Sequence, residues 1–207
     1  MTYIESYTVH TKGKNVEGYV FSGPSFFSLS FAVWLIDDYT QKEPLGEVRV
    51  SLRDENIKAV KNLSGYYTFS GLPEGVYTLR VESEFYFYEE RVVDTSFYSG
   101  SKEPVVEVPL KPKPLYPFPD SATLIRGLLA VETGLPAGVT VKAISKITVC
   151  EILEKPDEKG EFVLYFRGPF KGKVDVELEI IGEGINKKIP VSIEESQSTY
   201  VGIIPIP

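Results

Sequence analysis

Reactive side chains are scarce in this chain. Its 207 residues hold one cysteine, one histidine, one methionine and one tryptophan. Cys150 by itself closes no internal disulfide and builds no cysteine-rich metal site, so packing must hold the fold. Any Ser-His or Cys-His pair would have to use His10. That residue sits in "YTVHTKGK", a strand pattern entering a glycine turn, and reads as an exposed strand histidine. Cys150, in "ITVCEIL", reads as a small buried hydrophobe. No Lys/Arg cluster offsets the net charge of −7, and an acidic chain repels phosphate backbones, which argues against nucleic acid as a partner. The most apolar window, "FFSLSFAVWLI" at 26–36, is too short to cross a bilayer as a helix, so no membrane insertion is expected. The first residues show no basic stretch followed by an apolar one. No signal peptide is therefore read, and the compartment is left open.

With His and Cys so rare, a metal would need clustered oxygens. The pairs Asp37–Asp38, Asp54–Glu55 and Asp157–Glu158 each abut a strand end or turn, and none has the spacing of a calcium loop. They read as solvated turn carboxylates. No catalytic, cofactor-binding or metal-binding residue is assigned, no cofactor is expected, and the chain reads as not an enzyme.

Alternation with period two dominates, and the helical period is nearly missing. "GEVRVSLR" puts Val48, Val50 and Leu52 on one face; "VYTLRVE" does so with Tyr77, Leu79 and Val81. "KVDVELEI" aligns Val174, Val176, Leu178 and Ile180, and "KIPVSI" aligns Ile189, Val191 and Ile193. One apolar and one polar face per strand is the mark of antiparallel sheets with one wet side. "DSATLIRGLLAV" also reads as a strand, because Ile125, Gly127, Leu129 and Val131 alternate. Turn signals recur between the runs: "EPLGE", "LSGY", "LPEGV", "LPAGV", "DEKGEF" and "GPFKGKV".

The proline-rich stretch "PLKPKPLYPFPD" divides the chain. Proline fixes φ and removes ladder donors, so the segment reads as an extended, semi-rigid linker. Four parts result: an N-terminal hairpin extension at 1–28, a β-sandwich at 29–110, the linker at 111–119 and a second, diverged β-sandwich at 120–207. The order of strands and turns matches between the two large parts while spacings drift, as in a duplicated domain.

The order "DYTQKEPLGEVRVSL" then "NLSGYYTFSGLPEGVYTLRVE" resembles the carboxypeptidase regulatory-like domain family. The residues carrying the resemblance are Asp37, Thr40, Pro44, Gly46, Val50, Gly65, Phe69, Leu72, Pro73, Gly75 and Tyr77. It spans about residues 29–110; the second half looks like a diverged copy that keeps Thr133, Pro136, Gly138, Gly160, Phe162 and Gly172. The resemblance implies an all-β architecture of two tandem Greek-key, prealbumin-like sandwiches with about seven strands each. Related folds supply contrasts. Transthyretin-like hydrolases use several histidines, and self-made isopeptide bonds join a Lys to an Asn on the last strand. "VVEVPL" and "YVGIIPI" contain no Asn. Starch-binding sandwiches present paired tryptophans, and Trp34 in its apolar run reads as core.

The most suggestive patch is "EFYFYEERVV" with "TSFYSG" close behind. Alternation assigns Phe85 and Phe87 to one face and Tyr86 and Tyr88 to the other. Tyr86, Tyr88, Phe97 and Tyr98 are the candidate interface, since Tyr offers apolar area with a polar tip. The expected function is a non-catalytic structural or protein-binding module of a surface or larger assembly. Its expected partner is another protein or a second copy of itself. A carbohydrate-binding module using exposed Tyr and Phe is the alternative. The "LPEGV" turn is expected to place Gly75 at φ > 0. Gly75→Val should then lower the midpoint of thermal unfolding, and an unchanged midpoint would count against that turn geometry.

Overall fold

The computed structural model describes residues 3–11, 14–22, 28–53, 57–98, 101, 103–130, 138–145, 150–167 and 172–206, with side chains from residue 28 onward except at 145 and 150–153. The side chains of His10 and Cys150, and the pair Asp54–Glu55, thus lie outside the described residues. The expected N-terminal hairpin is present: β1 (Tyr3–Thr11) runs antiparallel to β2 (Lys14–Ser22), from Tyr3 opposite Ser22 to Thr11 opposite Lys14. Among the described residues these two strands make a sheet of their own.

Residues 29–110 contribute β3 (Leu29–Asp37), β4 (Val48–Leu52), β5 (Val60–Lys61), β6 (Tyr67–Ser70), β7 (Val76–Ser83), β8 (Glu89–Asp94) and β9 (Val105–Leu110). They form one sheet in the order β5-β6-β3-β9 and another in the order β4-β7-β8. The opening strand β3 is antiparallel to β6 and parallel to the closing strand β9. The second half contributes β10 (Thr123–Ala130), β11 (Thr140–Ser145), β12 (Cys150–Glu154), β13 (Glu161–Phe166), β14 (Lys173–Gly182), β15 (Ile185–Glu194) and β16 (Ser198–Pro205). Its sheets run β13-β10-β16 and β12-β11-β14-β15. Here too the opening strand β10 is antiparallel to β13 and parallel to the closing strand β16. The fold is all-β, and no sheet closes into a barrel.

Alternation explains why these segments are strands and which way they face. In the first half Phe31, Val33 and Leu35 of β3 meet Val50 and Leu52 of β4 and Leu79 and Val81 of β7 in one buried cluster. In the second, Ile125 and Leu129 of β10 meet Val141 of β11, Val176, Leu178 and Ile180 of β14 and Ile193 of β15. Each fully buried side chain of this size contributes about 1.5–3 kcal/mol, so each half holds a core of its own. Trp34 is the exception to the sequence reading. Its neighbours Val33 and Leu35 point inward, so parity turns Trp34 to the outer face. There it packs on Tyr66 at 4.8 Å between ring centroids.

The linker is not a free spacer. Pro112, Pro114 and Tyr116 are buried, and the residues between them are not. Phe87 N–H donates to Lys111 O at 2.9 Å, and Lys113 N–H donates to Phe85 O at 2.8 Å, around a bridge between Tyr86 and Pro112. The prolines fall where no ladder donor is needed, so the segment acts as a short added strand.

Two turns show matched chemistry. Asn62 Oδ1 accepts from the N–H groups of Ser64 and Tyr66, both at 3.0 Å. Asp157 Oδ1 accepts from those of Lys159 and Glu161, both at 2.9 Å. Each turn ends on a left-handed glycine, Gly65 at φ 87° and Gly160 at φ 86°. Gly75, by contrast, is not among the residues at positive φ. The "LPEGV" turn takes its shape from Thr95, whose Oγ1 accepts from Gly75 N–H at 2.9 Å, and from Tyr77, whose hydroxyl donates back to Pro73 O at 2.9 Å.

This corrects the expected glycine effect. A Cβ at Gly75 would meet the Tyr77 ring at 3.7 Å, an ordinary contact, whereas one at Gly160 would lie 2.4 Å from Leu129 O. Gly160→Ala should cost at least about 2 kcal/mol, and Gly75→Ala less than about 1 kcal/mol. Urea unfolding of both variants beside the parent chain checks the contrast.

Candidate functional site at the junction of the two halves

The site is built around Asp37 and Asp38 at the end of β3. Phe31, Val33, Leu35 and Asp37 share one parity, so the alternation that buries the first three also carries Asp37 inside. It is fully buried. A buried carboxylate is costly unless its oxygens are satisfied. Oδ1 accepts from Tyr39 N–H at 2.8 Å and Thr40 N–H at 3.1 Å. Oδ2 accepts from the hydroxyls of Tyr86 at 3.0 Å and Tyr116 at 2.5 Å. Tyr86 also accepts from Leu45 N–H at 2.9 Å. Burial pushes the Tyr86 phenol up to about 12, with the Asp37 carboxylate adding to the effect. The Tyr116 phenol is raised for the same two reasons.

Asp38 has the opposite parity and faces the second half. Its Oδ2 accepts from the Tyr165 hydroxyl at 2.5 Å and pairs with Arg167 at 2.7 Å. The Arg167 guanidinium lies 5.7 Å from the centre of the Tyr165 ring. Tyr39 fills the space between: its ring meets those of Tyr116, Phe118 and Tyr165 edge-on at 6.0, 5.0 and 5.6 Å. Arg126 of β10 donates to Pro114 O at 2.8 Å and lies over the Phe118 ring. First half, linker and second half therefore share one aromatic and ionic cluster.

Glu154, at the end of β12, is the least satisfied member. It is 4% exposed, and its Oε1 pairs with Lys111 at 3.4 Å. Among the described residues Oε2 has no hydrogen-bond partner. Burial pushes the Glu154 carboxyl up, against the pull of Lys111, and the charge of Asp38 adds to the rise. Tyr165 is raised by burial and by Glu154.

Of the sequence-derived interface residues, one is buried and the others stand exposed or half-buried. Tyr86 is 0% exposed and belongs to the core, because the chain bends at 84 and 85, leaves β7 and pairs around Tyr86 with the linker, so period two does not run through from 84 to 88. Tyr88 is exposed, and its hydroxyl donates to Glu90. Phe97 is 80% exposed. Tyr98 packs half-buried on the first core near Phe31. The carboxylate reading is also corrected: Asp157 is a turn residue, but Asp37 is not solvated. Its signal was present in its parity with Phe31, Val33 and Leu35. Glu154 carried none, because its burial depends on how the second half docks. Among the described residues no group of three or more His, Cys, Asp or Glu is arranged to hold a metal.

A polar cleft of about 380 Å³ opens beside this cluster, between Tyr39 and Thr40 on one side and Ser121, Thr123, Arg167 and Ser196 on the other.

No family model matches the chain, and no curated protein matches it. Among solved structures it is similar to the Bacillus anthracis TIE protein at 15% identity and a TM-score of 0.28. The match covers 99% of this chain and 41% of that one, so this chain spans about two fifths of that protein's length. Agreement at that level is too low to transfer a fold or a function.

Two outcomes are expected. Asp37→Ala strands two tyrosine hydroxyls and should cost about 3–5 kcal/mol in urea unfolding, whereas Tyr116→Phe should cost about 1–2 kcal/mol. Glu154 has a raised folded-state pKa, so its contribution is full below the unfolded value and is lost as pH rises through the folded one. Glu154→Gln removes that loss. The melting temperature of Glu154→Gln minus that of the parent chain should therefore be more positive at pH 7 than at pH 4. An equal or reversed difference would contradict the assignment.

Proposed function

We propose that this chain is a non-catalytic structural module. In this reading two tandem Greek-key sandwiches, of the prealbumin-like, carboxypeptidase regulatory-like type, are locked at a fixed angle within a larger protein assembly. The shared pairing of opening and closing strands supports the duplication, as does the repeated turn at Asn62–Gly65 and Asp157–Gly160. One observation carries the function: adjacent aspartates fasten the first half and linker through Asp37, and the second half through Asp38.

A tether needs none of this. Motion between domains is the default when an interface is small and polar, and a flexible linker serves connection alone. Ordering a joint and burying charge in it both cost free energy. That cost makes sense where the relative placement of two surfaces is the product, as in a spacer or a presenting arm.

The partner is another protein or a second copy. An isolated two-stranded hairpin is marginal in water, and among the described residues no further strand pairs with β1–β2, which leaves its edges to a neighbour.

Two measurements test the reading. Backbone ¹⁵N relaxation should give the two halves one common tumbling time in the parent chain and separate times in Asp38→Ala/Arg167→Ala. Separate times in the parent would overturn the rigid spacer. Light scattering coupled to size exclusion, over a concentration series, should show association in the full chain that is lost in a chain beginning at Ser28. A full chain that is monomeric throughout removes self-association and leaves a different protein as the partner.

A further inference from the structure

We infer that the cleft between the two halves is a binding site for an uncharged saccharide unit. Its volume of about 380 Å³ falls at the small end of small-molecule sites, and junctions between domains are where such sites concentrate. Neither half makes the cleft alone. Tyr39 and Thr40 come from the turn after β3, and Ser121, Thr123, Arg167 and Ser196 come from the second half.

The chemistry of the walls selects the class of ligand. Thr40, Ser121 and Ser196 bring hydroxyls that both donate and accept, as a ring of alcohols requires. Arg167 adds a planar set of donors, 44% exposed and held in place by Asp38 and Tyr165. Glu195 adds an acceptor. The charge balance argues against anions: Arg167 is already neutralised by Asp38 at 2.7 Å, and Glu195 is a further negative group on the lining. A cation would meet a single exposed carboxylate, Glu195, among the described lining residues, since the nearby Asp38 oxygen already serves Tyr165 and Arg167. A neutral, hydroxyl-rich molecule fits what is left.

The backbone supplies a separate observation. Among the described residues the non-glycine positions at positive φ are Gln41, at 58°, and Ser196, at 60°. Ser196 lines this cleft, and Gln41 is the chain neighbour of Thr40, which also lines it. A glycine would hold either backbone without strain. Strained residues cluster at binding sites, where the side chain is worth keeping. Ser196 is also pinned, its N–H donating to Thr123 Oγ1 at 2.9 Å. The inference needs the two halves to be joined but does not depend on the chain associating with anything.

Proton–nitrogen correlation spectra of the full chain, titrated with glucose, galactose, mannose, N-acetylglucosamine and cellobiose up to roughly tens of millimolar, test the site. At least one sugar should shift the amides of Thr40, Ser121 and Ser196 saturably. Arg167→Ala should weaken that binding by about tenfold or more. Because Arg167→Ala also loosens the joint, Ser196→Gly is the sharper variant. It relieves the strained φ and should raise the melting temperature while weakening the sugar, a divergence that a packing role alone does not produce. The inference is overturned if no sugar gives saturable shifts in the folded chain, or if the shifts fall elsewhere, for example around Trp34 and Tyr66. Tighter binding of inorganic phosphate than of any sugar, or unchanged sugar binding in Ser196→Gly, overturns it equally.

Discussion

The carboxylate of Asp37, buried with four hydrogen bonds, is the constraint on which the joint depends. Period two in β3 leaves it no choice: the parity that sends Phe31, Val33 and Leu35 into the core sends Asp37 after them. An ionised group there is tolerable only if donors converge on it. Two come from its own turn, at Tyr39 and Thr40, and cost little sequence separation. The other two come from Tyr86 and Tyr116, far along the chain. Satisfying Asp37 therefore dictates where the loop after β7 and the proline segment must lie. The next residue obeys the same rule with the opposite sign. Asp38 faces out of the first half and becomes the anchor for Tyr165 and Arg167.

The proline segment shows how a composition that looks like a spacer becomes part of the framework. Proline carries no N–H, so an extended run can be buried at its prolines without orphaned donors, provided the residues between them find acceptors. Lys113 donates to Phe85 O, Lys111 accepts from Phe87, and Pro112 and Pro114 fill the gaps. The regular alternation of buried and exposed positions in this stretch is strand behaviour, and Tyr116 is placed by it.

What could be read in advance follows from how local each determinant is. The all-β class, the N-terminal hairpin and the inward faces of β4, β7 and β14 rest on alternation within a few residues, and alternation is written in the sequence. Trp34 and Asp37 were legible by the same parity, but hydrophobicity argued the first inward and charge argued the second outward. Tyr86 departs from the sequence expectation because the chain bends at 84 and 85 and then pairs with the linker, so one period-two run does not span residues 84–88. Glu154, the pairing of Arg167 with Asp38, and the cleft depend on how two halves meet, and no local pattern encodes a docking angle. Gly75 failed differently: Thr95 shapes the "LPEGV" turn from twenty residues away, so no left-handed glycine is needed.

The joint is uneven in strength, and the unevenness has a direction. On the first-half side the linker is held by fully buried groups, Tyr116 on Asp37 and Pro112 beside Tyr86. On the second-half side the Asp38–Arg167 pair is partly open to water, where salt weakens it, and Glu154 keeps one buried oxygen with no partner among the described residues. Removing the linker from the first half would strand buried hydroxyls. Parting it from the second half would rehydrate Glu154 and so recover part of what separation costs. If the joint yields, it yields between the linker and the second half, and the linker stays with the first. The cleft beside Arg167 spans that weaker boundary, so anything seated between Thr40 and Ser196 would brace the joint where it is least secured.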